Sequence, residues 1–176
     1  MGVEASFDEG GVPMRSRYCP VRQYNKDKPD KYRVDFFILA DAKHYFIYHL
    51  DVYQGKNKAN IDIHHSIRNI PTTEKAVANA ILKSGICNDP NGYRHIFMDN
   101  RYAAPQLFAL MFINYNIHAL STYKANKIRF ESDKVQFQKG VDRGSFKRLT
   151  DKRLGMVITR WKDSKTLQTM HWCWLC

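Results

Sequence analysis

Two aspartates carry the chemistry that this sequence offers. Asp8 lies in Ser6-Phe7-Asp8-Glu9-Gly10 and Asp99 in Ile96-Phe97-Met98-Asp99-Asn100, and each closes an alternating apolar run. Phosphodiester cleavage by two metal ions about 4 Å apart needs carboxylates that bridge and flank the pair, one ion activating water and the other stabilising the leaving oxygen. Aspartate suits Mg2+ because it is a short, hard oxygen ligand, whereas Cys or His would draw softer metals. Two bare carboxylates held close together repel, so such a site makes sense chiefly when it is occupied. Taken singly, an aspartate at a strand end is usually a turn or cap residue, and the pair gains weight only from the elements that would bring its members together.

Those elements read as follows. Val3, Ala5 and Phe7 alternate with Glu4, Ser6 and Asp8, a strand that places Asp8 on its polar face and ends at Gly10-Gly11. Tyr32 to Ala40 and Tyr45 to Tyr53 are β-branched and aromatic-rich and are joined by a short connection, which predicts an antiparallel hairpin and, with the first strand, a meander. Thr72 or Thr73 caps a helix with Val77, Ala78, Ile81 and Leu82 on one face, ended by Gly85. Residues 93–99 form the next strand. Pro105 opens a second helix, apolar nearly all round and so expected to be deeply buried, and Ile117 to Ser121 follow as a strand.

The order β-β-β-α-β-α-β predicts an α/β fold with a ribonuclease-H-like mixed sheet over residues 1–121. In such a sheet ligands collect beyond the carboxyl ends of the parallel strands, where Asp8 and Asp99 are both expected. After Thr122 the pattern changes to basic loops with two candidate strands, Leu154 to Trp161 and Thr166 to Trp172. Residues 122–176 therefore read as an appended basic β-rich insertion module.

Charge points to the partner. The chain of 176 residues has a formal net charge of +11, with 28 Lys and Arg against 17 acids. Residues 122–165 hold thirteen of these bases and five acids, and residues 15–33 hold seven bases and two acids, so two segments contain the whole positive excess. Neutralising phosphates releases counterions, which makes nucleic acid the first candidate. Arg15, Arg17, Arg22, Lys26, Lys28 and Lys31 follow the Asp8 strand and are placed to hold a phosphate backbone near the metals; Lys124 and Lys127 extend the surface, with Tyr123, Phe130 and Trp161 available for stacking. Four cysteines without a regular framework suit a reducing intracellular compartment, and no apolar run is long enough to span a bilayer. Cys173 and Cys176 beside His171 supply fewer than the four ligands of a structural zinc site, and His64-His65 beside Asp62 read as solvent-exposed loop residues.

The spaced blocks also resemble a known family. Asp8-Glu9, Arg17, Tyr24, Lys28-Pro29-Asp30-Lys31 and Tyr53-Gln54-Gly55-Lys56 occur in the order seen in piggyBac transposases. Met98-Asp99-Asn100-Arg101-Tyr102 with Pro105 and Leu107 is similar to that family's Asp-Asn-aromatic block, and Trp161-Lys162-Asp163 to its Trp-Lys-Asp. By this resemblance Asp8 and Asp99 are the first two acids of a DDE triad, metal ligands as well as catalytic residues. The resemblance implies Mg2+-dependent DNA strand cleavage and transfer at transposon ends and TTAA targets, a nuclear location, and a homo-oligomer in the full-length protein. It places the third acid in a Gly-Gly-Val-Asp block farther along than Cys176. Gly140-Val141-Asp142 imitates that block but precedes Trp161, too early in family order. Arg33 and Asp35 stand where the family has Gly and Lys, and Ala103 and Ala104 where it has Thr and Ser. The expectation is a catalytic-core fragment, impaired or inactive alone; the alternative is a transposon-derived DNA-binding or interaction protein without turnover.

Overall fold

The computed structural model describes residues 2–55, 72–88, 94–123, 137–151, 155–164 and 166–172. Two compact units divide the chain at Asp89 and Pro90.

The first unit is built on an antiparallel meander. Strand β1 (Glu4–Pro13) pairs with β3 (Tyr32–Asp41), which pairs on its other edge with β4 (Ile47–Val52) and with the two-residue β2 (Gln23–Tyr24). Side chains alternate across such a strand. Ala5 and Phe7 are accordingly buried while Asp8 is exposed, and their cross-strand partners Asp41 and Leu39 are buried as well. Helix α1 (Thr72–Ser84) packs on β3 and β4. Its Ala76, Val77, Ala80 and Ile81 are buried, Glu74 and Lys83 sit at the ends that suit the helix dipole, and Gly85 ends it at φ +71°. A single 3-10 turn (Ile86–Asn88) follows.

The second unit holds a mixed sheet. Strand β5 (Arg94–Met98) runs parallel to β6 (Ile117–Thr122), and α2 (Pro105–Tyr115) connects them. On its other edge β6 pairs antiparallel with β9 (Thr166–Trp172), which continues into β8 (Met156–Lys162) and β7 (Phe146–Asp151). The basic segment after residue 122 thus contributes a strand directly to the sheet that contains β5. Leu107, Phe108 and Met111 bury one side of α2, and β6 presents Ile117, Ala119 and Ser121 as buried residues. Contrary to the expectation of burial all round, Ile113 is 73% exposed: α2 covers β6 and β9 with one face only.

The chain is thus α/β with a mixed sheet and few helices, and the expected elements recur with shifted ends. Two strands had no strong signal: β2 is two residues long, and β7 reads Phe-Lys-Arg-Leu-Thr-Asp, with little apolar alternation. One boundary is corrected. Gly10-Gly11 does not end β1, which continues to Pro13. A side-chain carbon at Gly10 would stand 2.6 Å from Ile38 Cδ1, and at Gly11 it would fall on the Arg33 guanidinium, so here the two glycines let β3 side chains lie across the strand.

Candidate functional site

Asp8 sits near the middle of β1, opposite Ile38, rather than at a strand end. The pleat that buries Phe7 turns Asp8 to the other face, where it is exposed, and Asp8 Oδ1 accepts the Glu9 N–H at 2.8 Å. Five residues of extended chain, about 17 Å, separate it from Pro13. The basic loop therefore begins well away from the carboxylate, at a reach of about five base steps along a duplex strand.

That loop is folded on itself. The Met14 N–H donates to Tyr32 O at 2.9 Å, and Asn25 N–H to Lys31 O at 2.8 Å. Arg15, Arg17, Lys26, Lys28 and Lys31 are exposed. Arg17 donates to the Tyr18 hydroxyl at 3.0 Å and lies 5.1 Å from that ring, which is itself 80% exposed. Arg22 differs from its neighbours. It donates to Arg15 O at 3.2 Å and stacks 4.6 Å from the Tyr32 ring, which in turn packs 5.1 Å from Tyr24, so its guanidinium helps to shape the loop. Lys124 and Lys127 lie outside the described residues, as do Asp62, His64 and His65.

In the second unit, Asp99 is the first residue beyond β5, where the parallel pairing ends at Met98 opposite Ser121. Its placement agrees with the rule for ligand sites in parallel sheets. A tight turn follows, in which Tyr102 N–H donates to Asp99 O at 3.0 Å and Ala103 N–H to Asn100 O at 3.4 Å. Tyr102 anchors the turn at 1% exposure and Asp99 is left exposed. Helix α2 then starts at Pro105 behind Ala104, whose φ of −143° and ψ of 129° are those of an N-cap but whose side chain makes no capping bond.

The remaining acids have other partners. Asp142 lies exposed in a turn where its carbonyl accepts the Ser145 N–H at 3.3 Å, and Asp163 pairs with Arg143 at the surface. Asp41 is buried, and five polar contacts converge on it: from the N–H groups of Gly2 (3.0 Å), Lys43 (2.9 Å) and His44 (2.6 Å), from the Tyr48 hydroxyl (2.7 Å) and from the His44 ring Nδ1 (3.1 Å). The Tyr48 hydroxyl above all, with the His44 and Lys43 N–H groups, holds its carboxyl far below the usual range. Its work is to tie the start of the chain to the β3–β4 turn. Nothing in the sequence distinguished it from an ordinary turn acid, because its donors come from four separate positions. Among the described residues no three His, Cys, Asp or Glu side chains cluster as a metal site.

Comparison with known proteins assigns the lineage. A family model described as Transposase IS4 matches residues 1–172. The chain belongs to that transposase family. No curated protein matches it. Among solved structures, a piggyBac transposase synaptic complex with hairpin DNA is similar, with a TM-score of 0.81 at 19% identity, over 99% of this chain and 34% of that one. The fold of this transposase-family chain is therefore that of a transposase core. It spans about a third of the solved protein's length.

Proposed function

We propose that Asp8 and Asp99 each serve as a metal-ligating carboxylate for Mg2+-dependent DNA strand cleavage and transfer at transposon ends, with the basic loop of residues 15–31 holding phosphates. The observation that carries this reading is the position of Asp99, an exposed carboxylate just past a parallel β-strand within a transposase family match over residues 1–172. The donor chemistry fits: both residues offer exposed carboxylate oxygens, and Asp8 is oriented by the Glu9 N–H. Mg2+, when bound, supplies water activation and charge neutralisation at the leaving oxygen. The protein's own part is to hold two hard oxygen ligands ready and to fix the DNA backbone through cations, above all the exposed Arg15, Arg17, Lys26, Lys28 and Lys31.

Nicking of supercoiled plasmid across an Mg2+ titration is the test. Nicking should require Mg2+, vanish in EDTA, and fall to the EDTA background in both Asp8→Asn and Asp99→Asn. The double variant should be no worse than either single, because loss of either acid already takes nicking to background. Salt-sensitive DNA binding that ignores both substitutions, with no nicking at any Mg2+ concentration, would instead establish a DNA-binding protein without turnover.

A further inference from the structure

We infer that the second unit carries a separate seat for a phosphodiester backbone, an open groove of about 640 Å³ lined by Lys139, Arg160, Lys162, Gln138, Phe137 and Thr166 among others. It rests on the DNA-processing reading only for the choice of polyanion, since the groove itself is defined by its own residues.

Among the described lining residues three side chains are cationic and none is acidic. Arg160 and Lys162 alternate along β8 and so share one face of the strand, with Thr166 paired opposite Lys162 and Lys147 opposite Arg160. Backbone bonds fix Lys162 at the end of β8: Gly144 N–H donates to Lys162 O at 2.7 Å, and Lys162 N–H to Ser145 O at 2.8 Å. Lys147 Nζ stands 5.8 Å from the ring of Phe137, one of the lining residues. The neighbouring acid Asp163 is engaged by Arg143 and does not line the groove. Residues two apart on a strand are about 7 Å apart, which spans about two steps of a DNA strand at 3.4 Å per step. Cations separated in this way can engage two phosphates of one strand at once, whereas one small anion would be satisfied by a single cation. Gln138 and Thr166 add uncharged hydrogen-bonding groups beside those cations.

Lysine acylation of the full chain, followed by mass spectrometry in EDTA with and without a duplex oligonucleotide, tests the seat independently of any cleavage. DNA should shield Lys139 and Lys162 and leave Lys43 and Lys83 of the first unit at their free rates. In parallel, Lys139→Gln/Lys162→Gln should make the slope of log K against log salt shallower by about 2, at about 0.9 per lost phosphate contact. Lys43→Gln/Lys83→Gln should leave it unchanged. The seat is overturned if DNA binds with undiminished slope and no shielding, even where Mg2+-dependent nicking persists. It is also overturned if inorganic phosphate at matched ionic strength shields the two lysines as well as DNA does, since the groove would then be a free-phosphate site. Absence of any DNA binding would remove this seat and the proposed function together.

Discussion

The guanidinium of Arg33 on β3 lies where a side chain at Gly11 on β1 would begin, and it reaches that place while ion-paired to Asp35, the residue directly opposite Gly11. Both members of the pair are largely buried, with side chains 14% and 24% exposed. Three positions thus form one unit: Arg33 and Asp35 on β3, and the glycine that makes room for them. Gly11→Ala should therefore destabilise the protein by about 1 kcal/mol, because the added carbon displaces Arg33 from its partner. In an Arg33→Ala background the same change should be neutral or stabilising, since alanine lowers the entropy of the unfolded chain. Urea denaturation of the four proteins yields the coupling, expected at about 1 kcal/mol; additive effects would refute the arrangement.

The same contact explains where sequence reading stopped short. Tyr32 to Ala40, Thr72 to Gly85 and Ile117 to Ser121 were legible because each carries its own period or cap, and β3, α1 and β6 lie close to those bounds. Gly10-Gly11 reads as a strand end when only the local chain is considered, and the filling of that space by Ile38 and Arg33 is a tertiary fact. Asp99 was legible because an aspartate closing an apolar run names its own strand end. Asp8 was found for its chemistry, but its place along β1 was not, since that depends on how far β3 continues to pair.

Acid stability should fall in two separable windows. Loss of hydration lowers the pKa of His49 from its ordinary 6.5, helped by Lys83 and opposed by Asp51. The folded state then resists a proton that the unfolded chain accepts, so stability declines as pH falls through about 6.5. His49→Gln should flatten the curve between about pH 7 and 5. Asp41 acts in the same direction for a different reason, because the fold favours its charged form: its lowered pKa contributes stability that is complete above the unfolded value and disappears at more acid pH. Asp41→Asn should lower Tm at neutral pH, and the gap to the wild type should close below about pH 4. Thermal melts across the pH range check both; a gap for Asp41→Asn that stays constant into acid would contradict the second.

Cations of the 15–31 loop should divide into two groups. Lys28 and Lys31 are exposed, so Lys28→Ala/Lys31→Ala should weaken DNA binding, make its salt dependence shallower by up to about 2, and leave stability unchanged within about 0.5 kcal/mol. Arg22 also holds the Arg15 carbonyl and the Tyr32 ring. Its replacement by alanine should lower stability by about 1 kcal/mol and increase proteolytic cleavage of the loop. Equal effects of Arg22 and Lys28 substitutions on both readouts would show that the loop is not organised around Arg22.

Ala104 provides the most direct link between a family departure and a measurable energy. Its backbone already has N-cap geometry, Pro105 occupies the first helical position, and Phe108 N–H donates to the Ala104 carbonyl at 3.1 Å, yet no side-chain oxygen is available to the free N–H groups of the first turn. The family resemblance places serine at this position. Ala104→Ser should supply an acceptor for the Leu107 N–H and stabilise the protein by about 1 kcal/mol, a rise in Tm of about 2 to 4 °C for a chain of this size. The site is only 6% exposed, so the gain depends on the hydroxyl finding that N–H; a buried hydroxyl without a partner would cost a similar amount. Ala104→Val adds bulk without an acceptor and should destabilise. Denaturation that ranks serine at or below alanine would mean that the hydroxyl does not reach the Leu107 N–H, and the capping prediction would be refuted.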